Sequence, residues 1–276
     1  MLTGIDRLER GVDHPRPRCQ NAAVPSNKTG SASIFERTAV HDQPVLTPAE
    51  RARIAALRRL VPPEARSVLE VGCGDGAVIN GLGRRLVVGA DLSRRSLARV
   101  EKPRLQADIF GLPFGDGSFD LVLCAEVLEH LEPARLPEAA AELARVARRH
   151  LVVAVPDRED LLSYTHRCPS CGEEFHLHGH RSSMGAEQVR ALLPGARVDV
   201  VEQVWPVRPY SRRLLELRTR RLGLWRHSEF TLCPRCGNTR IEDHERRPLY
   251  LLFEALNFLR HPLRTDRRWV MVRFVL

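Results

Sequence analysis

Val68-Leu69-Glu70-Val71-Gly72-Cys73-Gly74-Asp75-Gly76 is the stretch on which the reading of this chain turns. A short apolar run passes directly into three glycines at alternate positions. The run suits a buried strand. Gly72, Gly74 and Gly76 then allow a tight bend and let a ligand approach where a Cβ would otherwise stand. A lone G-x-G-x-G proves little, because many nucleotide-binding folds contain something like it. Its surroundings give it weight.

Strand and helix signals alternate downstream of this segment. Strands are expected at 67–71, 86–90, 105–107, 120–124 and 151–155, with helices at 76–84, 93–100 and 133–148 between them. Short apolar strands separated by helices indicate a parallel sheet covered on both faces. Upstream, Thr47-Pro48-Ala49-Glu50 reads as a capping box with proline at the first helical position. The helix that follows places Ile54, Leu57 and Leu60 on one face and stops at Pro62-Pro63. Residues 1–46 mix Pro, Ser, Asn and Gly without apolar periodicity and read as a mobile arm. In the proposed sheet Asp91 closes the second strand, where an acid can bind both hydroxyls of a ribose. Asp108 follows the third strand, placed to accept from an adenine amino group, and Glu70 stands at the tip of the first strand.

These segments resemble class I S-adenosylmethionine-dependent methyltransferases, in particular the branch known as methyltransferase type 11. VLEVGCGDG is similar to the first motif, VVGADLS to the second, ADIFGLPFGDGSFDLVLCAEVLEHL to the third and fourth, and HLVVAVPD to the fifth strand. The resemblance covers roughly residues 50–157. It implies a Rossmann-like doubly wound seven-stranded sheet, mostly parallel with one antiparallel strand. It also implies that Gly72 and Gly74 face the methionine part of S-adenosylmethionine, with Glu70 supporting its amino end. Asp91 would bind the ribose, and Asp108 with the Ile109 backbone the adenine. Glu126, Glu129 and His130 follow the fourth strand near the expected methyl-transfer site; His130 is the catalytic candidate and Glu126 a substrate-pocket candidate. A dinucleotide dehydrogenase would prefer a third glycine three residues after the second, where this loop has Ala77. Cys73 and Cys124 read as small packed residues. No N/D-P-P-Y/F tetrad follows the fourth strand, where AEVL stands instead, which disfavours amide or adenine-amino methylation of that type.

A second signal is unusual for this family. Cys168-Pro169-Ser170-Cys171-Gly172 and Cys233-Pro234-Arg235-Cys236-Gly237 are matched CPxCG knuckles, and together they supply the four thiolates of a closed tetrahedral zinc site. Sixty-one residues separate Cys171 from Cys233. The fold can close that gap if 185–204 supplies a helix and the sixth strand and 267–276 the antiparallel seventh. The knuckles then lie on two insertions, 158–184 and 205–266, that leave the same end of the sheet and form a zinc-stabilised cap. His176, His178 and His180, spaced by two, are further pocket candidates or metal ligands in their own right.

Composition bounds the remaining classes. The chain has 276 residues, 43% of them hydrophobic, enough for a substantial core. No apolar run is long enough for a membrane span, and the first twenty residues lack the layout of a secretory signal. Seven cysteines, four of them in two CxxC pairs, suit metal and a reducing cytoplasm better than disulfides. Net charge is +9, and residues 205–276 carry all of that excess, since 1–46 hold +1 and 47–204 hold −1. Within that quarter, 212–225 and 249–259 read as helices, the first interleaving leucine with arginine and the second apolar on most sides. A basic C-terminal surface favours an anionic partner. The expected acceptor is a small molecule, a glycan or a lipid-linked intermediate, with peripheral membrane contact open. An RNA or protein methyltransferase that docks its substrate on the basic cap is the rival, although no known nucleic-acid module appears. A zinc-stabilised binding protein with an idle cofactor fold is the third reading, opposed by the intact glycine loop and both acids.

Overall fold

The computed structural model describes residues 46–226, 231–239, 244–261 and 265–276. The N-terminal arm expected at 1–46 therefore lies, apart from Leu46, outside the described residues.

Helix α1 (Pro48–Arg59) starts on the expected capping box. The Glu50 amide donates to Thr47 Oγ1 at 3.2 Å, and the Thr47 amide donates back to the Glu50 carboxylate at 2.7 Å. Its buried face holds Ile54 and Leu57. Five strands of the core follow in the chain: β1 (Ser67–Val71), β2 (Leu86–Asp91), β3 (Arg104–Gln106), β4 (Phe119–Ala125) and β5 (Ala147–Pro156). The short helix α2 (Arg94–Leu97) joins β2 to β3, and α3 (Leu136–Val146) joins β4 to β5. After an insertion come α4 (Ala186–Ala191) and the long strand β8 (Arg197–Val207); after a second insertion the final strand β9 (Asp266–Val275). The sheet order is β3-β2-β1-β4-β5-β9-β8, with β9 antiparallel to both neighbours and the other pairs parallel. This is the doubly wound seven-stranded sheet read from the sequence.

The central strands are apolar on both faces because both faces are covered. Leu121, Val122 and Leu123 of β4 and Leu151 and Val152 of β5 are wholly buried. One core cluster gathers Leu69, Val122, Leu143, Val153 and Phe274, and the other Leu57, Val68, Leu121, Val152 and Met271. Residues next to each other in a strand thus serve opposite cores, as the two-residue side-chain period requires.

Three expectations need correction. The helix expected at 76–84 is a single 3₁₀ turn, Ile79–Gly81, because Gly81 and Gly83 interrupt it and Asn80 spends its side chain on neighbouring backbone. The helix expected to run to residue 148 stops at Val146, and β5 begins four residues before the expected position 151. The helix expected at 212–225 is the short α5 (Arg212–Glu216), followed by a π turn over Leu217–Arg221 and a left-handed Gly223 at φ +64°.

The first insertion carries a 3₁₀ turn (Leu161–Tyr164) and a hairpin, β6 (Thr165–Arg167) and β7 (Glu174–His176), with the first knuckle at its tip. The second carries α5, the second knuckle and α6 (Pro248–Arg260). Since β5 and β8 are both antiparallel to β9, both insertions leave the sheet at the carboxyl ends of its parallel strands. Ligands bind at that end in open α/β sheets. Among the described residues no helix is long and apolar enough to cross a membrane.

Candidate active site

A cavity of about 770 Å³ opens over those strand ends. Its floor is the turn after β1. Gly72, Gly74 and Gly76 all take positive φ there, at 74°, 55° and 83°. A Cβ on Gly72 would lie 2.1 Å from Val127 Cγ2, so the turn passes where only glycine fits. Asp91 fixes the turn: its carboxylate accepts from the amides of Gly74 and Ser93, each at 2.8 Å. Glu70 sits in register with Gly89 of β2 and Leu123 of β4, nearly buried, with Oε2 unpartnered in a wall of the cavity. Burial pushes its carboxyl up to about 8, against the pull of Arg53. Asp108 is exposed at the rim, where its carboxylate accepts from the Phe110 amide at 3.1 Å, and the buried Ile109 lies beside it.

These residues fit S-adenosylmethionine. Glu70 presents a buried oxygen with no partner, suited to an ammonium; Asp91 and Asp108 offer acceptors at two successive strand ends; and the glycine turn leaves room for the chain between them.

The opposite wall comes from β4's exit and the cap. Glu126, at φ +57°, accepts from Trp269 Nε1 at 2.8 Å, and its other oxygen is buried without a partner. Glu129 follows behind it, 1% exposed, with both oxygens unpartnered. Burial raises both carboxyls, and for Glu129 the Glu126 charge adds to the effect. His130 lines the cavity as well, but burial and the neighbouring His180 push it down to about 3, a poor proton acceptor at neutral pH.

The three cap histidines do not share a strand face. His176 ends β7, and His178 and His180 lie in the turn beyond it. His178 and His180 line the cavity, whereas His176 lies behind and stacks on His180 with ring centroids 4.5 Å apart. The amides of His178 and His180 donate to His176 Nδ1 at 3.3 and 3.2 Å. That bonding leaves the proton on Nε2, which faces Glu159 at 3.7 Å. Glu159 also takes a short hydrogen bond from His180 Nδ1. Glu159 is thus hydrogen-bonded to His180, which is turned to the cavity, while His176 Nε2 stays buried without a hydrogen-bond partner.

Arg53, Glu159, Tyr164, Arg226 and Trp269 complete the walls, and none carries a local sequence signal. Arg53 comes from α1, and its guanidinium lies 5.4 Å from the Trp269 ring centroid. Arg226 lies 4.5 Å over the Tyr164 ring, and its carbonyl is 3.1 Å from His166 Nδ1, so the two insertions touch directly beside the cavity.

The knuckles meet at the outer edge of this junction. Cys168 Sγ lies 3.6 Å from Cys236 Sγ, Cys171 Sγ lies 3.7 Å from Cys233 Sγ, and all four sulfurs fall within 4.8 Å of one another. Sulfurs about 2.3 Å from a tetrahedral zinc would stand about 3.8 Å apart, so the spacing fits that ion. The two turns are built alike. Gly172 and Gly237 take φ +76° and +71°, and their amides donate to Cys168 O and Cys233 O at 2.9 Å. Burial raises the Cys168 thiol, but the Cys171 and Ser170 amides and Cys236 outweigh it and bring it down to about 7. The Cys171 and Cys233 thiols are instead pushed up by burial, so it is the convergence of the four sulfurs that marks the cluster as a metal site.

Comparison with known proteins agrees with this geometry. The methyltransferase domain family matches residues 69–154. A ubiquinone biosynthesis O-methyltransferase from Albidiferax ferrireducens is 29% identical over 168 residues, covering 56% of this chain and 60% of that protein. A probable S-adenosylmethionine-dependent methyltransferase from Mycobacterium tuberculosis is 34% identical over 161 residues, covering 53% and 58%. The chain thus spans less than two thirds of either relative. Magnesium protoporphyrin IX methyltransferase from Synechocystis PCC 6803, solved with bound SAH, superposes with a TM-score of 0.50 at 16% identity, over 65% of this chain and 94% of that one. Residues 69–154 thus match the methyltransferase domain family, and they lie within a Rossmann-like seven-stranded sheet of the fold that the Synechocystis structure shares.

Proposed function

We propose that the whole chain transfers a methyl group from S-adenosylmethionine to a small-molecule, glycan or lipid-linked acceptor enclosed between the sheet and a zinc-fastened cap. The observation that carries this reading is the single cavity shared by the glycine turn, Asp91 and Asp108 on one side and His178, His180 and Tyr164 of the cap on the other. S-adenosylmethionine supplies an activated methyl group on a sulfonium, so the chain has mainly to position and enclose. Glu70 and the turn would hold the methionine end, Asp91 the ribose, Asp108 and Ile109 the adenine. Arg53 and Trp269 close the side near Glu126, and Arg226 with Tyr164 closes the cap side. One relative is named a ubiquinone biosynthesis O-methyltransferase, which supports a small acceptor.

The four cysteines would hold one zinc ion. A closed four-sulfur site leaves no position for water, so its role is conformational. It would replace the apolar core that two short polar insertions cannot build.

The test is Asp91→Ala with S-adenosylmethionine titrated by calorimetry. Losing a carboxylate that binds the ribose and holds the Gly74 amide should weaken affinity about tenfold or more. Unchanged affinity would remove the cofactor assignment. An RNA substrate is the alternative, and salt-sensitive binding to bulk RNA would favour it.

A further inference from the structure

We propose that the outward face of α6, with the arginines around it, is a peripheral docking surface for an anionic lipid bilayer. The helix turns Tyr250, Phe253 and Asn257 inward. Its other sides carry Leu249, Leu251, Leu252, Leu256, Phe258 and Leu259, all exposed, with Leu251 at 55%, Leu252 at 51% and Leu259 at 71%. A helix on the surface of a globular protein normally shows polar residues there, and a contiguous apolar face of this kind marks a place of contact. Thirteen residues are too few to span a bilayer but enough to lie in its interface.

Charge identifies the occupant. Exposed Arg246 and Arg247 precede the helix, exposed Arg260 closes its last turn, and the Arg208 guanidinium lies 4.0 Å over the Phe258 ring. Glu254, the acid within the helix, is taken by the buried Arg218 at 2.7 Å. Large apolar side chains between basic ends match acyl chains and anionic headgroups. A second copy of the chain would instead set arginines against arginines. The place of the helix gives the contact a use. Asn257 accepts from the Ser211 amide at 2.8 Å and donates to the Pro209 carbonyl at 3.1 Å, which fixes α6 beside Arg208, Pro209 and Tyr210, all of which line the cavity. A docked α6 brings that wall of the cavity to the bilayer.

The surface stands independently of the methyl-transfer reading and is measured without any activity. The full chain is floated with vesicles of phosphatidylcholine alone and with vesicles that also contain phosphatidylglycerol. Binding to the anionic vesicles should be about tenfold tighter or more and should weaken as salt rises. The Leu251→Ser/Leu252→Ser/Leu259→Ser variant changes only exposed side chains, so it should keep the wild-type melting temperature while losing about tenfold or more in vesicle affinity. Failure of the wild type to float with anionic vesicles would overturn the proposal, and so would undiminished flotation of the variant. A dimer in light scattering that the variant converts to a monomer would give the face to a second copy instead.

Discussion

Glu70 shows how far a single side chain can tilt the behaviour of the protein. Its carboxyl is buried, and its pKa stands at about 8 against an ordinary value near 4.5. Between those two values the unfolded chain has released the proton and the folded chain retains it. Raising the pH through that window therefore costs the folded state, and the buried Glu126 and Glu129, also raised, pull the same way. The buried His130 and His178, held below their ordinary range, work the other way below about pH 6.5, so the cofactor-free protein should melt at progressively lower temperature only from about pH 7 to pH 8. Glu70→Gln should flatten that slope and raise the melting point at pH 8 by about 5 °C. A slope unchanged in the variant would show that Glu70 is ionised in the fold. The same substitution should weaken S-adenosylmethionine binding, because the glutamine cannot carry the charge that an ammonium favours.

At the scale of elements, the knuckles are paired across the two insertions rather than each closing on itself. Removing one thiol should therefore unfasten both. Cys168→Ser is expected to lower bound zinc from about one equivalent to a small fraction. It should leave S-adenosylmethionine affinity within about twofold, because Asp91 and the glycine turn belong to the sheet. Metal analysis and calorimetry on the same preparation check both halves, and less than about half an equivalent of zinc in the wild type would count against the site. The sequence showed this juxtaposition because the two CPxCG turns repeat and the strand order dictates where each insertion emerges. It showed the glycine turn and the acids at strand ends for the same reason: each is a local pattern bound to a strand terminus. Other parts left no such mark. Glu159 stands 21 residues before His180, the histidine it bonds, in an insertion without periodicity. Arg53 enters the site from a helix whose apolar spacing describes only its buried face. Glycine and asparagine cut the helix expected at 76–84 to one turn, a balance of weak propensities that tertiary packing settles.

For the whole molecule, stability is divided unequally. The sheet is buried on both faces over β1, β4 and β5, whereas the cap leans on a cysteine cluster, a short hairpin and arginine contacts such as Arg226 on Tyr164. Treatment with a strong chelator should therefore speed hydrogen exchange in 157–185, 208–226, 231–239 and 244–261 by about tenfold or more while leaving β4 and β5 protected. Uniform loss of protection would show instead that cap and sheet unfold as one unit. The basic quarter also divides in use. Arg218 is buried between Tyr210, Tyr250 and Glu254, while Arg208, Arg213, Arg220 and Arg221 remain exposed, so composition alone overstates the charge available to a partner. The span between the two knuckles has one more consequence, for synthesis. Cys168 and Cys171 leave the ribosome with their hairpin long before Cys233 and Cys236, and α4 and β8 lie between the pairs. The early pair can only wait, as half a set of thiols, for the late pair. Closing a loop of that length after its framework is laid down costs far less entropy than closing it in a free chain. The four-cysteine set is complete only once Cys236 has been made, after the five parallel strands β1 to β5 and before β9.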